Sequence, residues 1–249
     1  MKFRFISFIL FLITATPTFA RPGLNSTDSI ADNVFTLIYQ HKLQSAEQQL
    51  DAEKQQLDDF YFLLLNLDLH WWKYRTNDTK ENDEKLDQLL SKLDVDNAKT
   101  DWQKMQQLLV QSYRLRYEKT KLNFIGMLRT RSKMKELTDE IKLDALPVKG
   151  TQHKLFESYV IMFQYIEDIN FLNSQSNSGN RKELLTRMET FASDNDIMLN
   201  TIARFFLARM YQKVEKEPQT GLSYYKTLTA TFPTNTTFAK YKKECEEKL

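Results

Sequence analysis

The side chains that could do chemistry are few and scattered. The three histidines, His41, His70 and His153, fall on three different predicted helices. None lies four residues from another or within an H-E-x-x-H pattern, the spacing that puts two imidazoles and a base around zinc on one helix face. His70 reads as a satisfied, half-buried side chain beside Trp71. The single cysteine, Cys245, sits among Lys and Glu near the chain end, where exposure is expected, and one cysteine allows no internal disulfide. No G-x-S-x-G elbow presents a serine, and five glycines are too few to build phosphate loops or a dinucleotide fingerprint. Carboxylates recur, as in Asp58-Asp59 and Glu81 to Glu84. Pairs of acids serve glycosidases, but these runs are hydrophilic and read as solvated faces. The sequence therefore points to no enzyme, no cofactor and no metal.

Two aromatic clusters remain as candidate binding residues. In His70-Trp71-Trp72-Lys73-Tyr74, adjacent tryptophans on a helix point about 100° apart, so one covered side cannot bury both. Trp71 falls on the apolar stripe with Leu64 and Leu67. That leaves Trp72 at a helix-helix boundary or facing a groove, where it could anchor a peptide or stack on a sugar. The segment Tyr113-Arg114-Leu115-Arg116-Tyr117, with Arg129 and Arg131, makes a basic, aromatic-flanked strip. Such a strip can receive an acidic peptide, or be a solvated face balanced by Glu118 and Glu136.

Helices must position these residues. Apolar side chains recur at helical spacing from Ile30 to Ile38, around Ala46 and Leu50, from Leu57 to Tyr74, and from Leu86 to Leu93. The pattern resumes at Trp102 through Met105, Leu108, Leu109, Tyr113 and Tyr117. It continues through Phe124, Met127, Leu128, Met134, Leu137 and Ile141, with a kink expected at Gly126. Pro147 to Gly150 is the clearest turn and could separate two lobes of one domain, 28–249. Thr151 to Asn173 is again helical, Asn173 to Asn180 is a polar loop, and Thr234 to Leu249 is a charged closing helix. No segment alternates with period two, so the expected class is all-α. Antiparallel helix pairs would stack as a short solenoid or an irregular bundle.

The N-terminus has the three parts of a secretory signal over residues 1–20. Lys2 and Arg4 precede the apolar run Phe5 to Ile13, and Thr18-Phe19-Ala20 suits cleavage. Residues 21–27 read as a flexible leader. No cysteine stands at the cleavage point, which argues against a lipoprotein and for a periplasmic or secreted protein. Loss of Lys2 and Arg4 leaves 33 basic residues against 33 acidic ones. That balance lacks the net basic face a nucleic-acid binder needs. No later run is long and apolar enough to span a bilayer, so no stable membrane insertion is expected after cleavage. Sequons at Asn25, Asn77 and Asn235 would matter only in a eukaryotic secretory pathway. Asp28-Ser29-Ile30 resembles a short O-glycosylation motif of Bacteroidetes exported proteins.

From Ala203 to Pro233 the chain resembles the tetratricopeptide repeat, a helix pair of about 34 residues. Leu207, Ala208 and Tyr211 match its first helix, Gly221 and Tyr225 its second, and Pro233 its end. Arg204 replaces the usual tryptophan, and Glu215 to Pro218 adds a residue to the turn. Asp32 to Leu50 resembles a worn copy with Ala46 at the small position. The whole chain is similar in style to divergent repeat proteins exported by Bacteroidetes-type bacteria. The resemblance implies a non-catalytic scaffold that binds another protein in a concave surface lined by Trp72, Tyr113 and Arg116. The alternative is a glycan- or small-ligand-binding module at Trp71 and Trp72.

Overall fold

Short polar side chains decide where most helices begin. Asp58, Thr79, Thr100, Asn123, Asp196 and Asn235 each accept a hydrogen bond from a backbone N–H of the first turn that follows. Each thereby satisfies a donor with no intrahelical partner. Thr100 and Gln103 complete a reciprocal capping box. A computed structural model of the chain describes residues 26–95, 97–146, 148–169 and 178–249. The expected signal segment, residues 21–25 of the leader, Pro147 and residues 173–177 of the polar loop lie outside them.

Among the described residues there are eleven α-helices and no strand, as the periodicity predicts. They are α1 Ser26–Tyr39, α2 Leu43–Glu53, α3 Asp59–Thr76, α4 Lys80–Leu93, α5 Asp101–Thr120 and α6 Phe124–Glu140. After a 3-10 turn at Leu143–Ala145 come α7 Gly150–Asp168, α8 Ser178–Ala192, α9 Ile197–Lys213, α10 Pro218–Thr231 and α11 Thr236–Glu246. Several expected boundaries move, and α8 already begins at Ser178, inside the expected polar loop. Ser26 and Thr27 already belong to α1, and the third helix starts at Asp59 because Asp58 caps it. The long helix expected through Gly126 breaks earlier, at Lys121 to Asn123, and Gly126 lies in the first turn of α6.

Helix α3 is the centre. It buries side chains on nearly every side from Phe60 to Tyr74, because α1, α2, α4 and α5 all pack against it. In α9 and α10 the small residues set the spacing of the pair. A Cβ on Gly221 would stand 2.9 Å from the Ala208 carbonyl oxygen and 3.2 Å from the Gln212 nitrogen, closer than side-chain carbons approach a backbone. Leu207, Ala208 and Tyr225 are buried beside it. Tyr211 is half-buried, with its hydroxyl donating to Glu189 at 2.6 Å, and Pro233 follows the end of α10 at the surface.

The first and last of the described helices meet. Thr234 and Asn235 donate to the carbonyls of Gln40 and Tyr39 at 2.6 and 2.8 Å, and the Phe238 ring lies 6.1 Å from that of Tyr39. Elsewhere each helix packs mainly on those one or two places away in sequence, as stacked helix pairs do. One continuous core carries buried side chains from both sides of residues 147–150. Cys245 corrects an expectation of exposure. It follows Phe238 and Tyr241 on the inner stripe of α11, is fully buried, and donates through Sγ to the Pro218 carbonyl at 3.0 Å. Burial pushes its thiol up, so it is a packed side chain and not a reactive one.

Candidate functional site

Two places stand apart from ordinary helix packing: a carboxylate inside the core and an apolar corner outside it. The carboxylate is Asp68 on α3, only 2% exposed. Tyr113 on α5 donates to its Oδ1 at 2.6 Å, and Tyr39 at the end of α1 donates weakly to its Oδ2 at 3.4 Å. Tyr159 on α7 lies 3.1 Å from the Tyr113 hydroxyl. With the Tyr113 proton committed to Asp68, Tyr159 donates to the Tyr113 oxygen. The Arg116 guanidinium lies 4.8 Å over the Tyr113 ring and 5.9 Å over the Tyr159 ring.

Burial pushes the Asp68 carboxyl up to about 6, against the pull of the Tyr113 hydrogen bond, the Arg116 charge and Tyr39. Burial, then the Asp68 charge, holds the Tyr39 and Tyr113 phenols well above their usual range. Burial alone would lower Arg116, but Tyr113, Tyr159 and Asp68 outweigh it and keep the guanidinium charged. Asp68, Tyr39, Tyr113 and Tyr159 are all buried, and their hydrogen bonds tie α1, α3, α5 and α7 together.

That geometry relocates the expected binding residues. Trp72 is buried, with its ring 5.5 Å from Tyr39, 5.1 Å from His41 and 6.1 Å from Phe238. It does occupy a helix-helix boundary, between α1, α3 and α11, but faces no open groove. Trp71, expected on the buried stripe, is the half-exposed one of the pair. The difference arises because α3 is covered from several sides, so a single-stripe reading of it fails. Tyr113 is buried and Arg116 half-buried against it; the two lie together, but Trp72 does not join them on an exposed surface.

The basic strip is occupied from within. Arg114 bonds Asp87 at 2.6 Å and Ser91 at 2.9 Å, Tyr117 and Lys121 bond Asp83 at 3.0 and 2.7 Å, and Arg131 pairs with Glu167. Acids of α4 and α7 balance it, not Glu118 and Glu136. His70 donates from Nδ1 to the Asn66 carbonyl at 3.0 Å. Burial lowers His70 and His41 below the ordinary imidazole value, which keeps both neutral at pH 7. Asp58, from the paired acids, is a helix cap that also receives Gln152.

The second place is the corner between α5 and α6. Leu122, Phe124, Ile125 and Leu128 are 66 to 73% exposed there. Phe124 and Leu128, expected in the core, are corrected to the surface: among the described residues α6 leans chiefly on α5, which leaves the outer side of its first turn exposed. Leu122 closes α5 in a Schellman geometry. Its N–H bonds the Lys119 carbonyl, and the Asn123 N–H bonds the Glu118 carbonyl. The leucine takes the left-handed slot at φ +56°, where glycine is the usual choice. A leucine there costs about 1–2 kcal/mol, and at 72% exposure it recovers little by burial. Around the corner Lys119 and Arg129 are exposed, and no acidic residue lies between Glu118 and Glu136.

The sequence carried a trace of both places. Asp68 is the only charged residue between Asp59 and Lys73, and Phe124 and Ile125 are adjacent where one helical stripe would hold only one of them. No family model, no curated protein and no solved structure matches the chain.

Proposed function

We propose that this protein is a non-catalytic interaction scaffold of the cell envelope, exported through its N-terminal signal and built of helix pairs akin to the tetratricopeptide repeat. One observation carries the reading. Among the described residues most large apolar side chains are buried, yet four, Leu122, Phe124, Ile125 and Leu128, stand exposed together on one corner. Contiguous exposed apolar side chains on a soluble fold mark a surface made to meet another surface. The strained Leu122 supports this, since glycine would serve the fold better there.

The internal groups agree with a scaffold. Asp68 and its tyrosines are spent on joining four helices, and Gly221 on holding α9 against α10. The partner therefore meets the α5–α6 corner, not the Trp72, Tyr113 and Arg116 surface favoured by the sequence. The glycan-binding alternative keeps Trp71 alone, because Trp72 is inside the core.

The test is cosedimentation of the protein from residue 21 onward with the envelope fraction of its own source cells. The unaltered protein is expected in the pellet. The variant carrying Leu122→Ser, Phe124→Ser, Ile125→Ser and Leu128→Ser is expected in the supernatant with an unchanged far-ultraviolet circular dichroism spectrum. Equal partition of the two would sink the reading. The export argument has its own check, a mature N-terminus at or near Arg21.

A further inference from the structure

We infer that the α5–α6 corner is a membrane-docking tip, seating its apolar side chains in an anionic lipid surface. The inference rests on the scaffold reading above and names the partner of that same corner.

Shape is the first argument. The four apolar residues sit at the turn-end of a helix hairpin whose second helix leans chiefly on the first, so they form an exposed tip and not a groove. So exposed a turn offers no groove for a partner helix, but it can enter the boundary between lipid headgroups and acyl chains. Apolar faces of interfacial helices sit roughly 5–10 Å into that boundary.

Charge is the second. On the exposed side of α6, Ile125 and Leu128 are followed by Arg129, Ser132 and Lys135, all exposed. At 1.5 Å per residue, Arg129 stands roughly 7 Å behind Phe124 along the helix, level with the headgroups when the tip is seated. Lys119, one turn back on α5, is exposed on the other limb of the hairpin. Lys121 is held by Asp83 and Arg131 by Glu167, so Lys119 and Arg129 are the cations presented at the tip. The nearest acid, Glu118, is engaged by the Asn123 amide at 2.6 Å. Apolar residues outermost with basic residues just behind them complement an anionic bilayer in depth as well as in sign.

Leu122 is the third. Its left-handed backbone places a leucine where glycine would relieve strain, at the turn that joins α5 to α6. The tip thereby keeps a fourth apolar side chain.

The experiment is flotation of the protein from residue 21 onward with vesicles of phosphatidylcholine, with and without an equal part of phosphatidylglycerol. Binding is expected to the anionic vesicles and not to the neutral ones. Lys119→Gln with Arg129→Gln should weaken it about 30-fold, at about 1 kcal/mol for each basic residue near the surface. Phe124→Ser with Ile125→Ser should abolish it, and each variant should keep its circular dichroism spectrum and melting temperature. A Phe124→Trp variant should be quenched by lipids with brominated tails when anionic vesicles are added, which shows insertion directly. Absence of vesicle binding, or equal binding to both vesicle types, overturns the inference. If envelopes still retain the protein through this corner while vesicles of their extracted lipids do not, a protein is the partner: the scaffold reading then stands and the lipid inference fails. If light scattering shows a dimer that the Phe124→Ser, Ile125→Ser variant loses, the corner pairs with a second copy and the inference fails again.

Discussion

The surroundings of Trp72 and the corner at Leu122 are both built of large apolar side chains, yet one is buried among rings and the other is exposed. Trp72 sits on α3, and the rings of Tyr39, His41, Phe205 and Phe238 all close on it, from helices α9 and α11 as well as from the end of α1. Phe124 sits at the start of α6, which leans chiefly on α5, and its outer side is exposed. Side-chain type is alike in the two places; the number of elements available to cover it is not. Hydrophobicity therefore says that a residue gains by being covered, and topology says whether cover exists.

Substitutions can break that comparison, and the largest effect belongs to the closed end. Trp72→Ala should cost about 3–5 kcal/mol in denaturant unfolding, the usual cost of emptying a buried aromatic site. A loss below about 1 kcal/mol would mean that the tryptophan is not the keystone between α1 and α11. It follows that Trp72→Ala reports on folding before it reports on any partner.

Asp68 comes next. Its carboxyl lies near 6 in the fold against about 4 in an unfolded chain. The folded state therefore holds the proton more tightly, and the resulting stabilisation is full below about pH 4 and lost as pH rises through about 6. The change is on the order of 2–3 kcal/mol, at about 1.4 kcal/mol per pH unit. Asp68→Asn should flatten that part of the stability profile, and an unchanged slope would remove Asp68 as its source. Gly221→Ala should cost about 1–3 kcal/mol, because the added carbon forces α10 off the Ala208 carbonyl. A neutral result would show that the pair can slide apart without loss.

The open end should respond in the opposite way. Leu122→Gly should stabilise the fold by about 1 kcal/mol by relieving the left-handed leucine, while weakening capture by envelopes. Ile125→Ser should change stability by no more than about 0.5 kcal/mol, as an exposed substitution does. A loss above 1 kcal/mol in thermal unfolding would place Ile125 in the core and erase the contrast.

Most helices were legible before their packing was. Ala46 and Leu50, or Leu86 and Leu90, recur at the spacing that buries them, and the short polar caps mark helix starts locally. Leu207, Ala208, Gly221 and Tyr225 were legible as a set because a close helix pair demands small residues at fixed places. The binding residues were not legible in the same way. Trp72 is buried and Trp71 half-buried against the core, because α3 has no single buried stripe, and periodicity assumes one. Arg114 and Tyr117 looked like a surface for an acidic partner, but Asp83 and Asp87, about thirty positions earlier, already fill that role. Cys245 looked exposed from its charged neighbours, although Phe238 and Tyr241 at helical spacing mark the inward face it shares.

The sequence by itself determined an all-helical chain, the places where most helices start and stop, and one helix pair held close by a glycine. These follow from interactions among residues a few positions apart, which composition and spacing encode directly. Only the tertiary structure decided that α1 and α11 meet, that Asp68 is shared by helices from across the chain, and that Leu122, Phe124, Ile125 and Leu128 remain exposed. Those outcomes depend on which distant surfaces come together, and burial is a property of that assembly, not of any residue alone.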